Sequence, residues 1–394
     1  MRTHRAFPRP ENARWLLKAG KSWQWFGVEG GVLDVVVIGA GQAGLSAAYH
    51  LVRMGFRAYD EVVVLDRNPA PGGAWQHRWN SLTMHDVHGI ANLPGVPVPV
   101  SAGPERANAF VPGYFADYER RFELPVVRPV SVESVRRIDG GFLVQTSVGA
   151  YETAALVNAT GTWDRPFIPW YPGIETFRGR QLHTADYRGA AELAGQQVLV
   201  VGGGASAVQL LAEISAVAST TWVTRRPPEW RTGEDFTPEY GRQVVARVEE
   251  RVRAGLPPRS VVSVTGLHLR PQEQEAAERG VYTRLPMFTR IIPEGVEWSS
   301  ELGSANAGGG RVLKVDTILW ATGFRADLAH LAPLHLREPS GGIRMNGTAT
   351  AADPHLHLVG YGPSASTIGA NRAGFTAARS LRTLLRPEPT AVSA

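Results

Sequence analysis

The stretch that most restricts how this chain can fold begins at Val32 and reads VLDVVVIGAGQAGLSAAYHLVRMGF. A run of β-branched residues leads into a glycine-rich turn, and the turn leads into a segment whose Leu45, Ala48, Leu51 and Val52 share one helical face. The next apolar run, VVVLD, ends at Asp66. Glycines at 39, 41 and 44 complete G-x-G-x-x-G, and an acid about 20 residues further on ends the second strand.

Each part of this unit has a physical task. Gly39 allows the tight turn, Gly41 lets backbone approach a pyrophosphate, and Gly44 lets the helix pack closely on the strand. The helix start offers unpaired N–H groups and positive partial charge to phosphate oxygens. Asp66 can accept hydrogen bonds from an adenosine ribose. Gly39, Ala40, Gly41, Gln42, Ala43 and Gly44, with Asp66 and Arg67, are therefore expected to bind a dinucleotide, read here as FAD.

A second such unit starts at Gln197, QVLVVGGGASAVQLLAEISAVASTTWVTRR. Gly202, Gly204, Ala205, Ser206 and Ala207 form its turn and helix start, with alanine in place of the third glycine. Its second strand ends in Thr224-Arg225-Arg226 where the first unit has an acid. An acid there would repel a 2′-phosphate, whereas Arg225 and Arg226 can pair with one, so this site is expected to prefer NADPH to NADH. The plainer reading of the two arginines is a solvated strand end.

Two near-copies of one phrase flank the second unit: LVNATGTWDRP, with Ala159, Thr160 and Gly161, and ILWATGFRADL, with Ala321, Thr322 and Gly323. Each is an apolar strand running into Ala-Thr-Gly, a natural crossing between two nucleotide-binding domains. The segment VVRPVSVESV and the alternation from Phe142 to Val148 predict a β-meander over the adenine end of the first cofactor, with Val132 in contact. Near the C-terminus HLHLVGYGPSASTIGANRAGF predicts a strand, a turn with Gly360 and Tyr361, and a helix whose N-terminus serves the first cofactor.

The expected fold is α/β, with two Rossmann-like dinucleotide-binding domains and the NADPH domain inserted into a discontinuous FAD domain. The boundaries are an N-terminal extension at 1–31, FAD domain at 32–165, NAD(P)H domain at 166–317, FAD domain again at 318–386, and a tail at 387–394. The 394 residues, 43% hydrophobic and 20% charged, suit two ordinary domains. The net charge of +5 comes from arginines spread along the chain, so nucleic acid is not an expected partner. Residues 1–31 are Arg- and Trp-rich without a period; a membrane-surface or targeting role, or a start assigned too early, are open alternatives. No integral membrane segment or secretory signal is seen, and cytoplasmic location is the default expectation. The chain has no cysteine, which removes disulfides, thiolate metal sites and thiol catalysis; no metal site is expected.

With these motifs placed, the chain resembles the flavin-containing monooxygenases and their bacterial relatives over roughly Leu33 to Leu385. The most specific match is FRGRQLHTADY, an F-x-G-x-x-x-H-x-x-x-Y pattern carried by Phe177, Gly179, His183 and Tyr187. Baeyer–Villiger monooxygenases look similar but favour Trp at the last position. A second match is PGGAWQHRWNSLTMHDV from Pro71, similar to the Gly-Gly-x-Trp stretch beside the flavin. The resemblance implies that Gly73, Ala74 and Trp75 approach the cofactor, that Arg78 faces phosphate or flavin carbonyls, and that His85 and Asp86 fall near the isoalloxazine. Two features depart from it: the chain is short, and Gly360-Tyr361-Gly362 stands where many relatives place Gly-Asp.

The resemblance further implies a class B monooxygenase that takes hydride from NADPH and oxygenates a small organic substrate through a C4a-(hydro)peroxyflavin. Its partners would be that substrate and molecular oxygen, with a homodimer left open. The alternative is an NAD(P)H-dependent flavin reductase that passes electrons to a quinone or protein carrier. A flavin-binding sensor without turnover is a third reading, which the two intact glycine fingerprints oppose. Catalytic candidates are His183, for which a role holding the linker is the stronger expectation, and Arg188, placed to contact nicotinamide or flavin. The substrate is not legible: the region from Thr232 to Glu301 mixes Arg, Glu and aromatic residues without a selectivity code.

Overall fold

The computed structural model describes residues 32–387 apart from 88, 102, 231–237, 259–266, 268 and 300–309. The N-terminal extension, nearly all of the tail and much of the expected substrate-pocket region lie outside the described residues.

The chain opens with β1 (Leu33–Ile38), α1 (Gln42–Arg53) and β2 (Val62–Leu65). After α2 (Ala107–Arg121) and the short β3 (Val126–Val127), a meander follows: β4 (Val132–Ile138), β5 (Gly141–Thr146) and β6 (Gly149–Asn158). The next stretch contributes β7 (Arg180–His183), β8 (Gln197–Val201), α3 (Ala205–Ile214), β9 (Ser219–Thr224) and α4 (Pro238–Arg253). It continues with α5 (Pro271–Glu278), β10 (Arg284–Pro286), β11 (Arg290–Ile292), β12 (Gly295–Trp298), β13 (Arg311–Lys314) and β14 (Thr317–Trp320). Last come β15 (Met345–Asn346), β16 (Ala349–Thr350), β17 (Asp353–Leu358) and α6 (Thr367–Leu385).

These strands form a mixed α/β architecture of two main sheets. The first runs β15-β16-β17-β6-β1-β2-β3, with β5 and β4 added antiparallel beyond β6. Its centre is parallel, β1 lying between β2 and β6. The second runs β10-β9-β8-β14-β7 and is wholly parallel, while β11, β12 and β13 make a small antiparallel sheet. The chain therefore leaves the first sheet after β6, builds the second, and returns through β15 to β17.

Burial explains the strand sequences. Val35, Val36 and Val37 of β1 are all inaccessible, as are Leu199 and Val200 of β8, because each strand is covered on both faces. Such strands read as continuous apolar runs, and each fully buried valine or leucine contributes roughly 1.5–3 kcal/mol. On α1 the expected face is buried at Leu45, Ala48 and Leu51, with Val52 half-buried. This helix packs with Ala370, Ala373, Ala377, Ala378 and Leu381 of α6 in one core.

The two Ala-Thr-Gly crossings pair with each other. Phe167 donates its N–H to the Gly323 carbonyl at 2.9 Å, and Arg325 donates to the Arg165 carbonyl at 2.8 Å. Thr160 Oγ1 donates to the Asp327 carbonyl at 2.6 Å. The crossings also seat both glycine-rich turns in the same way. A Cβ on Gly39 would stand 2.7 Å from the Ala159 carbonyl oxygen, and one on Gly202 would stand 2.1 Å from that of Ala321. Both glycines have positive φ, so each turn needs glycine on two counts.

Candidate functional site

At the first glycine-rich turn, α1 starts at Gln42 with Gly41 as its cap, no side chain bonded to its first N–H groups and no acid in its first turn. That leaves positive partial charge at the helix start. A Cβ on Gly41 would meet nothing within 4 Å, so the backbone there borders open space. Gly73 closes the turn from the other side: a Cβ on it would lie 2.9 Å from the Gly41 Cα. Gln42 donates from Nε2 to the Ala91 carbonyl and to Asn371 Oδ1, while its Oε1 is buried with no partner. A buried acceptor without a donor suits a ligand that brings one. An uncapped helix start, an open glycine backbone and an orphan acceptor together fit a dinucleotide.

Asp66 departs from its expected role. Its side chain is 3% exposed; Oδ2 accepts the Ala40 N–H at 2.8 Å and Oδ1 accepts the Asn68 N–H at 2.7 Å. The acid therefore fastens the glycine-rich turn to the end of β2, with one bond on each carboxylate oxygen. Arg128 stands 3.9 Å from it and is held by Glu119 through contacts of 2.6 and 2.9 Å. Burial raises the Glu119 pKa, partly offset by that guanidinium. Arg67 is exposed and pairs with Asp164.

The Gly-Gly-x-Trp stretch forms a short 3-10 turn, Gly73–His77, with Ala74 and Trp75 half-buried. Arg78 follows it, its guanidinium 4.7 Å from the centre of Trp163 and 5.5 Å from that of Trp75. Its Nε is buried without a partner, and burial lowers its pKa to about 10. Arg78, His77, Asn80, Asn108, Trp163 and Arg188 line a cavity of about 390 Å³. Trp163, His77 and Asn108 carry little signal in the sequence, beyond an aromatic residue two positions after the first Ala-Thr-Gly.

His85 and Asp86 part company. His85 is exposed, whereas Asp86 caps its own turn by accepting from Thr83 Oγ1 at 2.6 Å. The second unit then grips Asp86: Gln272 Nε2 donates to Oδ1 at 2.7 Å, and Gln209 Nε2 and the Arg270 guanidinium donate to its carbonyl. Arg270 is in turn paired with the buried Glu273. Asp86 is thus a clasp between the two units, a role its position in a loop did not announce.

In the second unit α3 also starts without a capping side chain or first-turn acid, and a Cβ on Gly204 would meet nothing within 4 Å. Ala205 and Ser206 are half-buried there, and Ala207 is fully buried. Arg225 and Arg226 are exposed just beyond β9. The resemblance motif is not a loose linker: Arg180–His183 is β7, the edge strand beside β14. His183 is 1% exposed, its Nε2 bonded to the Gly323 carbonyl at 2.9 Å and its Nδ1 accepting the Ala185 N–H at 3.1 Å. Burial lowers its pKa, so the ring is neutral with Nε2–H as donor. Both nitrogens are engaged, and the catalytic expectation for His183 finds no support; the ring joins the motif to the second crossing. Arg188 is exposed and donates to the Ala185 carbonyl at 3.5 Å. Tyr187 is buried edge-on against Trp79.

Gly360 approaches Ala43 and Gly161, bringing the C-terminal turn, α1 and the first crossing together. Tyr361 points instead into the core, its hydroxyl accepting the Ile343 N–H at 3.3 Å. Val132 is half-buried on that same core. The start of α6 is already capped, Ser366 Oγ accepting the Gly369 N–H at 3.1 Å, so it is a poorer anion site than the other two helix starts. Thr322 donates to the Phe167 carbonyl across the paired crossings. Among the described residues no helix is long and apolar enough to cross a membrane.

Comparison with known proteins gives this geometry a setting. The profile of the family described as pyridine nucleotide-disulphide oxidoreductase matches residues 36–265. The uncharacterized oxidoreductase CzcO of Bacillus subtilis is 34% identical over 182 residues, 46% of this chain and 52% of that protein. The chain thus spans about half the length of the first curated relatives it matches. A ferredoxin–NADP reductase of Salinispora tropica is 27% identical over 338 residues, 83% of this chain and 85% of that protein. Among solved structures, a flavin-containing monooxygenase from Stenotrophomonas maltophilia is 36% identical with a TM-score of 0.76, covering 90% of this chain and 99% of that one.

Proposed function

Because this chain belongs to the pyridine nucleotide-disulphide oxidoreductase family, among its flavin-monooxygenase members, we propose that it is an FAD- and NADPH-dependent enzyme that inserts oxygen into a small organic substrate. The observation that carries this reading is the likeness to the Stenotrophomonas maltophilia monooxygenase over nearly its whole length. The family name mentions disulphides, but a chain with no cysteine has no redox-active disulfide to offer.

When bound, the flavin accepts hydride from the nicotinamide and activates oxygen at its C4a position. The protein's part is to hold, orient and enclose. We assign 32–165 and 318–386 to the flavin domain and 166–317 to the nicotinamide domain, with 1–31 and 387–394 flanking them. The uncapped start of α1 and the open backbone at Gly41 receive the flavin pyrophosphate, and Gln42 Oε1 accepts from a sugar hydroxyl. Gly73 and Trp75 bring the 71–78 stretch against the same cofactor. The start of α3 receives the second pyrophosphate, and Arg225 and Arg226, exposed beyond β9, pair with a 2′-phosphate. The Asp86 clasp fixes the distance between the two sites, and the rings of Trp79, Trp163 and Tyr187 limit water between them.

The 27% identity to a ferredoxin–NADP reductase over most of both chains favours a second reading, electron transfer to a carrier or quinone without oxygen insertion. Coupled turnover separates the two. Purified flavin-loaded protein is expected to oxidise NADPH in preference to NADH, with dependence on oxygen. Replacing both Arg225 and Arg226 by Gln should reduce the preference about tenfold or more, since each charge-assisted bond to phosphate contributes roughly 1.5–3 kcal/mol. Sustained NADPH oxidation by a quinone without oxygen would support the second reading and overturn the first.

A further inference from the structure

The cavity beside the Gly-Gly-x-Trp turn carries charge without a counter-charge. Arg78 and Arg188 both line it, and among the described residues neither has an acidic partner within ion-pair distance. Arg78 Nε is buried and unbonded, its guanidinium lying against Trp163 and Trp75. Arg188 is exposed and makes one long contact, to the Ala185 carbonyl. No lining residue is acidic, and Asp164, next to the lining Trp163, is already paired with Arg67. His77 adds no compensating charge: its Nε2 is bonded to Asn68 Oδ1 at 2.8 Å, and burial, followed by the Arg67 charge, holds its pKa down.

The remaining walls are flat. Trp163 stacks on His77, the planes 14° apart, and on Phe324, 25° apart. Asn108 braces the floor, donating to the Arg78 carbonyl at 3.0 Å and to Asn80 Oδ1 at 2.9 Å. A volume of about 390 Å³ holds one substituted aromatic ring with a short side chain. Guanidinium forks pair with carboxylate or phosphate oxygens, and the indoles of Trp79 and Trp163 give the cavity apolar wall for the rest of a small organic molecule.

We infer that this cavity is an anion subsite, that its occupant is the carboxylate of a small aromatic substrate, and that Arg78 and Arg188 recognise that group. The inference rests on the oxygenase reading above, which has a substrate to place. The same oxygens could come from a dinucleotide phosphate, but the open helix start and Gly41 backbone of the first unit, and the open helix start at Ala205 with the arginines at 225 and 226, already supply that chemistry elsewhere.

Equilibrium binding to the flavin-loaded protein tests it, read as quenching of tryptophan fluorescence, because Trp79 and Trp163 both line the cavity. Phenylacetate is expected to bind about tenfold or more tightly than its neutral isostere phenylacetamide. Arg188→Gln should bring the two affinities together, Arg188→Lys should keep most of the difference, and NADP⁺ should not displace phenylacetate. Equal affinities in the unaltered protein would overturn the inference. Competitive displacement of phenylacetate by NADP⁺, with loss of NADP⁺ affinity in Arg188→Gln, would assign the cavity to the dinucleotide and equally overturn it. Neither binding result depends on turnover, so failure of the oxygenase reading would show separately, as NADPH oxidation without oxygen consumption.

Discussion

Gly41 and Gly44 stand three positions apart in one turn and answer to different demands. Gly44 is held by the protein itself, since a Cβ there would come within 1.8 Å of the Gly39 carbonyl oxygen. Gly41 has ordinary dihedral angles, φ −83° and ψ −170°, and nothing within 4 Å of a Cβ. Gly44→Ala should therefore lower the melting temperature even without cofactor, by a loss of about 1–3 kcal/mol from overpacking. Gly41→Ala should leave the apoprotein within about 0.5 kcal/mol of its original stability yet purify with much less flavin. Thermal unfolding and the ratio of flavin to protein absorbance check both; full flavin in Gly41→Ala would refute the assignment of that backbone to the pyrophosphate. The same scale shows what stays hidden at Asp66. Its place after β2 is visible in sequence, but the bonds it makes to Ala40 and Asn68 depend on how the turn folds back.

At the scale of elements, the strands and helices of both glycine-rich units were legible because each strand is buried on both faces and each helix on one. The F-x-G-x-x-x-H-x-x-x-Y stretch was legible as a motif but not as a strand. Its four-residue β7 has only Leu182 and His183 buried, too short a pattern to register a period. The Asp86 clasp was hidden for a different reason: Gln209 and Gln272 lie more than a hundred residues away, and no local pattern marks which glutamine reaches across. Replacing Gln209 and Gln272 by Leu together removes two of the bonds that grip Asp86 while keeping its Thr83 cap. Each such bond contributes about 0.5–1.5 kcal/mol to the closed arrangement. The double variant should slow flavin reduction by NADPH severalfold, leaving reduction by dithionite unchanged. An unaltered NADPH rate would show that the clasp does not position the two sites.

For the molecule as a whole, a chain that leaves its first sheet after β6 and re-enters it at β15 sets two glycine-rich turns on opposite sides of a pair of hydrogen-bonded crossings. That plan could be read from the repeated Ala-Thr-Gly phrase and the two fingerprints. The cavity with Arg78 and Arg188 could not, because it is assembled from four separate places, 76–80, 108, 163 and 185–188, that only the fold brings together. The absence of cysteine removes a redox-active disulfide from this plan. The central claim, that the two sites reduce a flavin with NADPH and then commit it to oxygen, is tested most directly by two-step rapid mixing. The flavin-loaded protein is first reduced anaerobically with NADPH, then mixed with oxygen while its absorbance is followed. The account predicts that loss of the reduced spectrum precedes recovery of the oxidised spectrum by a resolved lag. Recovery of oxidised flavin in step with loss of the reduced form, or failure of NADPH to reduce the flavin at all, would contradict it.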